Sequence, residues 1–137
     1  MYCPKCSEFQ EGFKKMSVYR VPRILIIHLK RFSKKGSRFG NRTTEKNSRT
    51  VIYPVDSLDM SKWIDGGINM QCEDLEYELF GVSVHSGGLG GGHYTAYTKN
   101  VITGEWFYMN DGRVGKARKD EVITPNAYLL FYQKKRK

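Results

Sequence analysis

No stretch of about 18 consecutive apolar residues occurs in this 137-residue chain, which excludes a membrane-spanning helix. The N-terminus carries no signal-peptide pattern. Cysteine is scarce: Cys3, Cys6 and Cys72 are too few for a secreted disulfide framework, and two of them form a CxxC pair, so a reducing intracellular compartment, cytoplasmic or nuclear, is expected. Acidic residues are outnumbered 14 to 23 by basic ones, giving a formal net charge of +9. The basic residues gather in 30–35, at Arg38, Arg42 and Arg49, in 113–119 and in the tail 133–137. Such patches can bind nucleic acid, but charge runs are usually solvated faces, and the interleaved basic and aromatic stripe that base stacking requires is missing.

The length fits one domain with room for a buried core. Residues 17–21 read as a strand that Pro22 breaks. The continuous apolar run Ile24-Leu25-Ile26-Ile27-His28-Leu29 reads as a strand buried on both faces, with His28 a core histidine. Residues 33–50 are polar, basic and nearly free of apolar side chains, the composition of a mobile loop. Order resumes at Val51, residues 57–64 supply one or two helical turns, and Asp65-Gly66-Gly67 opens a second loop. Beyond Tyr77 the pattern is strand-rich: 77–84, 93–99, 105–109 and 127–132, with a short helical turn at 119–122. Successive strands joined by glycine-bearing turns predict a β-dominated α+β fold built on a twisted antiparallel sheet.

Chemistry is suggested by Gly90-Gly91-Gly92-His93-Tyr94-Thr95-Ala96-Tyr97, where a glycine run delivers a histidine to the start of an alternating, strand-like segment, and by Asn110 at the end of the next strand-like run, Trp106-Phe107-Tyr108-Met109. If Thr98 pairs with Glu105, His93 stands opposite Asn110, and cross-strand partners have Cβ atoms roughly 4.5–5.5 Å apart. An amide oxygen at that distance can orient an imidazole as a general base for a cysteine nucleophile. Taken alone, a histidine opening a strand is ordinarily a half-buried residue with a satisfied ring, and glycines before it mark a turn.

Four ordered motifs go further. His85-Ser86-Gly87-Gly88-Leu89-Gly90-Gly91-Gly92-His93-Tyr94, Trp106-Phe107-Tyr108-Met109-Asn110-Asp111 and Ala127-Tyr128-Leu129-Leu130-Phe131-Tyr132 resemble the histidine-box half of the ubiquitin-specific proteases. Tyr2-Cys3-Pro4-Lys5-Cys6 together with Val21-Pro22-Arg23 and the run through Phe32 resembles the stretch preceding it. The resemblance implies a papain-like fold, of which this chain holds the sheet-rich palm and part of the fingers (residues 1–32 a half zinc ribbon and strand, 33–50 a loop, 51–132 the palm sheet), with the helical thumb in a missing half. It implies His93 as general base, Asn110 as its orienting residue with Asp111 in support, and His85, Ser86, Gly91, Gly92 and Tyr94 as contacts for the ubiquitin C-terminal tail. Residues without Cβ at 90–92 suit a channel for an extended peptide.

The family's nucleophilic cysteine box is absent. Cys72, flanked by Glu73 and Asp74, lacks the electropositive surroundings of a reactive thiolate. Cys3 and Cys6 have the spacing of one zinc knuckle, half of the four ligands a structural site needs. The expectation is therefore the C-terminal half of a deubiquitinating thiol protease, inactive alone, needing no cofactor for catalysis, with structural zinc in the intact parent. Its partners would be ubiquitin or ubiquitinated proteins and the N-terminal half of the same domain. The alternatives are a non-catalytic ubiquitin-binding module and a basic zinc-knuckle module for nucleic acid.

Overall fold

A computed structural model describes residues 1–36, 42–64 and 75–135; Cys72, the Asp65-Gly66-Gly67 loop and the last two residues of the tail lie outside them. The strands in chain order are β1 (Tyr2–Cys3), β2 (Glu8–Phe9), β3 (Ile24–His28), β4 (Phe32–Gly36), β5 (Arg42–Lys46), β6 (Leu58–Asp59), β7 (Glu76–Gly88), β8 (Gly91–Lys99), β9 (Trp106–Asn110), β10 (Arg113–Ala117) and β11 (Ala127–Lys134). Single 3-10 turns cover Ser61–Trp63 and Lys119–Val122.

One seven-stranded sheet organises the chain in the order β10-β9-β8-β7-β11-β3, with β6 added alongside β7. β7 to β10 form a meander of antiparallel hairpins. The chain then passes through the 119–122 turn and returns as β11, between β7 and β3. The predicted twisted antiparallel sheet is therefore present, and the four strands expected beyond Tyr77 are all found, each extended or shifted by a few residues.

β7 places its core residues by changing face midway. Its register against β11 slips between Leu79↔Tyr132 and Gly81↔Phe131, leaving Phe80 as an extra residue. A bulge of this kind reverses the side-chain parity beyond it. Tyr77 and Leu79 are thus buried before it and Val82 and Val84 after it, all with Leu130 and Tyr132 in one core. Each large side chain so buried contributes roughly 1.5–3 kcal/mol.

Three buried tyrosines fasten the non-sheet segments over this core, because a buried phenol must find an acceptor. Tyr53 Oη donates to the Val122 carbonyl at 2.6 Å, Tyr132 Oη to that of Pro54 at 2.7 Å, and Tyr77 Oη to that of Pro22. Desolvation raises all three above the ordinary tyrosine range, Tyr53 to about 12.

Four expectations are corrected. β3 is an edge strand, so only alternate residues face the core: Leu25 and Ile27 pack on it, while Ile24 and Ile26 remain 42% and 55% exposed. His28 falls on the outward parity and is exposed, its ring edge-on to Tyr128 at 4.7 Å rather than in the core. Residues 17–21 form no strand, only a parallel bridge between Val18 and Ile64, where the Val18 amide donates to the Trp63 carbonyl at 2.9 Å. Residues 33–50, polar enough to read as a loop, contain most of a two-stranded hairpin, β4 on β5, separate from the main sheet. A ladder satisfies backbone groups whatever the side chains.

Arg31 explains how that hairpin is held. It lies inside a basic run that reads as a solvated face, yet it is only 4% exposed. Its Nε donates to the Ala127 carbonyl at 3.0 Å and Nη1 to the carbonyls of Asn47 and Arg49, tying the exit of β5 to the start of β11.

Candidate active site

The β8–β9 hairpin brings the two predicted catalytic residues together, though not in the register expected. The ladder pairs Lys99 with Trp106, Thr98 with Phe107, Tyr97 with Tyr108 and Ala96 with Met109. Thr98 thus meets Phe107 instead of Glu105, and continuing the same register sets Asn110 against Thr95. The shift arises in the turn. Asn100 Oδ1 accepts from the amides of Ile102 and Thr103 at 2.9 and 3.1 Å, and the Asn100 amide donates to the Glu105 carbonyl at 2.8 Å, so the turn is centred one residue farther along the chain than the sequence suggested.

A slip of two residues keeps every side chain on its face. His93 and Asn110 become diagonal neighbours, roughly 7–8 Å apart along the backbone and still within reach of each other's side chains. His93 Nε2 lies 2.6 Å from Asn110 Oδ1. That oxygen can only accept, so Nε2 carries the ring proton and the Nδ1 lone pair is free. Asp111 begins the two-residue turn into β10 with a left-handed φ of 50°, and its Oδ2 is 3.9 Å from the same His93 nitrogen. The pair sits at the open end of the face that carries Tyr97 and Tyr108, whose ring centroids are 5.0 Å apart. The His93 side chain is 50% exposed.

The glycine run is a hairpin rather than an open loop. Gly88 pairs with Gly91, Gly87 with Gly92, Ser86 with His93 and His85 with Tyr94, leaving Leu89 and Gly90 at the tip. Two of its glycines are demanded by the fold. A Cβ on Gly92 would enter the His85 ring and lie 2.5 Å from the Ser86 carbonyl oxygen, and Gly87 has φ of 106°. By contrast, a Cβ on Gly88, Gly90 or Gly91 would meet nothing within 4 Å.

His85, an expected substrate contact, is turned inward instead, only 5% exposed. Its ring packs against Tyr94 at 4.6 Å, Phe32 at 5.5 Å and Tyr128 at 5.9 Å, and its Nδ1 has no hydrogen-bond partner. Tyr94 is the outer member of this cluster, 56% exposed. Lys46 Nζ donates to the His85 carbonyl at 2.5 Å and to Asn126 Oδ1 at 3.3 Å. Phe32, Lys46, Asn126 and Tyr128 were not among the predicted site residues. The only sequence signals for them were the Lys30-Arg31-Phe32 and Ala127-Tyr128 motifs, and their convergence depends on β11 returning beside β7.

Cys3 and Cys6 lie on the β1–β2 ribbon, apart from the large sheet. The Cys6 amide, the Cys6 thiol and the Lys5 amide all point at the Cys3 sulfur and hold its thiol below the ordinary range. The Ser7 amide closes the turn on the Cys3 carbonyl at 2.8 Å. Amides converging on a sulfur suit a metal-bound thiolate, so the pair fits half of a tetrahedral zinc site. Among the described residues no cluster of three or more His, Cys, Asp and Glu completes it.

No helix among the described residues is long and apolar enough to cross a membrane, which leaves strand-built membrane proteins unaddressed. Residues 1–132 match the family model described as "Ubiquitin carboxyl-terminal hydrolase". The chain is 41% identical over 133 residues to ubiquitin carboxyl-terminal hydrolase 15 of Homo sapiens and 39% identical over 134 to ubiquitin carboxyl-terminal hydrolase 4 of Pongo abelii. These alignments cover 97% and 98% of this chain but only 13% of either relative. Among solved structures, the SAGA DUB module of Ubp8, Sgf11, Sus1 and Sgf73 bound to monoubiquitin superimposes with a TM-score of 0.79 at 30% identity, covering 99% of this chain and 28% of that one. The same module bound to ubiquitin aldehyde gives 0.79 at 29%, covering 99% and 30%. With sheet, histidine hairpin and family match in agreement from end to end, the chain belongs to the ubiquitin carboxyl-terminal hydrolase family, as part of a ubiquitin-specific protease catalytic domain.

Proposed function

We propose that this chain carries the base-bearing part of a deubiquitinating thiol protease, which hydrolyses the peptide or isopeptide bond after the C-terminal glycine of ubiquitin. The observation that carries the reading is the 2.6 Å contact between His93 Nε2 and Asn110 Oδ1. With its proton fixed on Nε2, His93 offers Nδ1 to withdraw the proton of a cysteine thiol. The thiolate attacks the carbonyl carbon, and the imidazolium returns the proton to the departing amine. The resulting thioester is hydrolysed by a water that His93 activates in turn. Asn110 holds the ring, and Asp111 stands farther off, 3.9 Å from the same nitrogen.

The nucleophile comes from a segment outside these residues, the N-terminal part of the same catalytic domain. Cys3 and Cys6 support that reading, because each thiol is engaged with the other on a separate ribbon. They serve as half of a structural zinc site whose other ligands lie in that same segment. Alone, the chain does not turn over ubiquitin conjugates.

Ubiquitin as substrate follows from the family and from the hairpin tip. A Cβ on Gly88, Gly90 or Gly91 would meet none of the described residues, which suits an outside chain passing close to the backbone. Tyr94, exposed beside His93, is the aromatic contact for that chain, and His85 supports Tyr94 from behind. The protein acts in an intracellular compartment, cytoplasmic or nuclear.

An electrophilic ubiquitin probe tests this. The 137-residue chain alone stays unlabelled, whereas the protein of natural length that carries it is labelled on a cysteine outside these residues. Labelling of Cys3, Cys6 or Cys72 in the isolated chain contradicts the proposal, and so does a natural-length protein that binds ubiquitin without ever reacting, which is the behaviour of a non-catalytic binding module.

A further inference from the structure

At the far end of the sheet from His93, Arg20, Val21, Pro22, Arg23 and Lys134 line a cavity of about 670 Å³. Its backbone is fixed on both sides. Val21 is buried at 4% exposure, the Pro22 carbonyl accepts from the buried Tyr77 hydroxyl, and the Arg23 carbonyl accepts from the Lys134 amide at 3.0 Å. Two guanidinium groups and one ammonium therefore rise from a rigid floor.

None of the three has an acidic partner among the described residues, in contrast to several basic residues elsewhere on the sheet. Lys99 is paired with Glu78 at 3.0 Å, Lys116 with Glu105 at 2.8 Å, Lys119 with Asp56 at 2.5 Å and Lys135 with Glu76 at 3.0 Å. The two β7 carboxylates beside Lys134 are already used: Glu76 holds Lys135, and Glu78 holds Lys99 and accepts from Gln133 at 2.9 Å. Three like charges gathered in a concave site, with no counter-charge among the described residues, repel one another, and an incoming anion relieves that repulsion.

We propose that this groove docks an acidic peptide segment of a protein partner. Arginine forks match carboxylates in bidentate geometry, and the exposed Pro22 supplies apolar contact for the peptide between its charges. No aromatic ring lines the groove to stack on a base, which favours a peptide over single-stranded nucleic acid. Along β7, Lys134 is opposite Tyr77 and His93 is opposite Ser86, a separation of nine residues or about 30 Å. A partner held there leaves the histidine site free.

The test is fluorescence anisotropy with a labelled oligoglutamate peptide and the natural-length protein. Binding is expected, weakening as salt is raised. Arg20→Glu/Arg23→Glu should weaken it at least ~10-fold, and Arg20→Gln/Arg23→Gln, a milder change for a fold sensitive to charge reversal, several-fold. Arg113→Glu/Lys116→Glu, on the opposite edge strand and equal in net charge change, should leave it within about 2-fold at physiological salt. Equal loss in that control pair, absence of peptide binding, or tighter binding of a single-stranded oligonucleotide through the same two arginines would each overturn the proposal.

Discussion

His93 and Asn110 touch across a hairpin in which they are not opposite one another: Nε2 and Oδ1 are 2.6 Å apart although the ladder runs two residues out of that pairing. The contact is diagonal, so it depends on Asn110 having enough side-chain length. Asn110→Asp should therefore keep most of the activity, since an acceptor remains at the same reach. Asn110→Ser, which shortens it, should lose kcat by ~10²-fold with KM little changed. Steady-state kinetics on a ubiquitin C-terminal amide separates the two, and equal loss in both would show that the diagonal contact is not what orients the ring.

Gly92 and Gly90 should respond differently to alanine. At Gly92 the added methyl enters His85 and the Ser86 carbonyl, so Gly92→Ala should lower stability by about 1–3 kcal/mol in a denaturation series. At Gly90 the added methyl meets none of the described residues, so stability should hold within about 0.5 kcal/mol while KM for ubiquitin rises. A Gly92→Ala protein as stable as the parent would contradict the close packing of the hairpin on His85.

Tyr53 should show itself in alkali. Burial raises its pKa from 10.0 to about 12, so the neutral phenol is favoured in the folded state. The stability this gives is complete below about pH 10 and is lost as pH rises through about 12. Near-ultraviolet phenolate absorbance should show Tyr53 ionising late, together with unfolding, and Tyr53→Phe should remove that contribution and cost about 1 kcal/mol at neutral pH through the unpaired Val122 carbonyl.

Zinc content should follow the β1–β2 ribbon. In the natural-length protein, Cys3→Ser/Cys6→Ser should reduce bound zinc toward zero by elemental analysis, with loss of thermal stability, since binding free energy at a structural site is also folding free energy. Undiminished zinc in that variant would assign the pair another role, with a redox pair first in line.

Much of the large sheet was legible because period-two alternation survives in the residues themselves. β8 and each half of β7 alternate, β9 and β11 are short apolar runs bounded by turn residues, and parity alone put His93 and Asn110 on one face, which is why a two-residue error in register did no harm to the pairing. What could not be read was strand order. Whether Ile24–His28 is buried on one face or two, whether His28 points in or out, and why His85 is enclosed all depend on β11 returning between β7 and β3, a long-range connection that no local pattern encodes. The β4–β5 hairpin was missed for a different reason: apart from Phe32 its side chains offer no apolar alternation, and it is positioned by Arg31 reaching three carbonyls, an arrangement invisible in a run of basic residues.

Turnover of a ubiquitin C-terminal amide by the natural-length protein, with His93→Ala compared against Asn110→Ala, tests the central claim most directly. The account predicts loss of at least ~10³-fold for His93→Ala, which removes the base, and a smaller loss of ~10²-fold for Asn110→Ala, which removes only its orientation. A natural-length protein that cleaves ubiquitin conjugates at an undiminished rate with alanine at position 93 would contradict it.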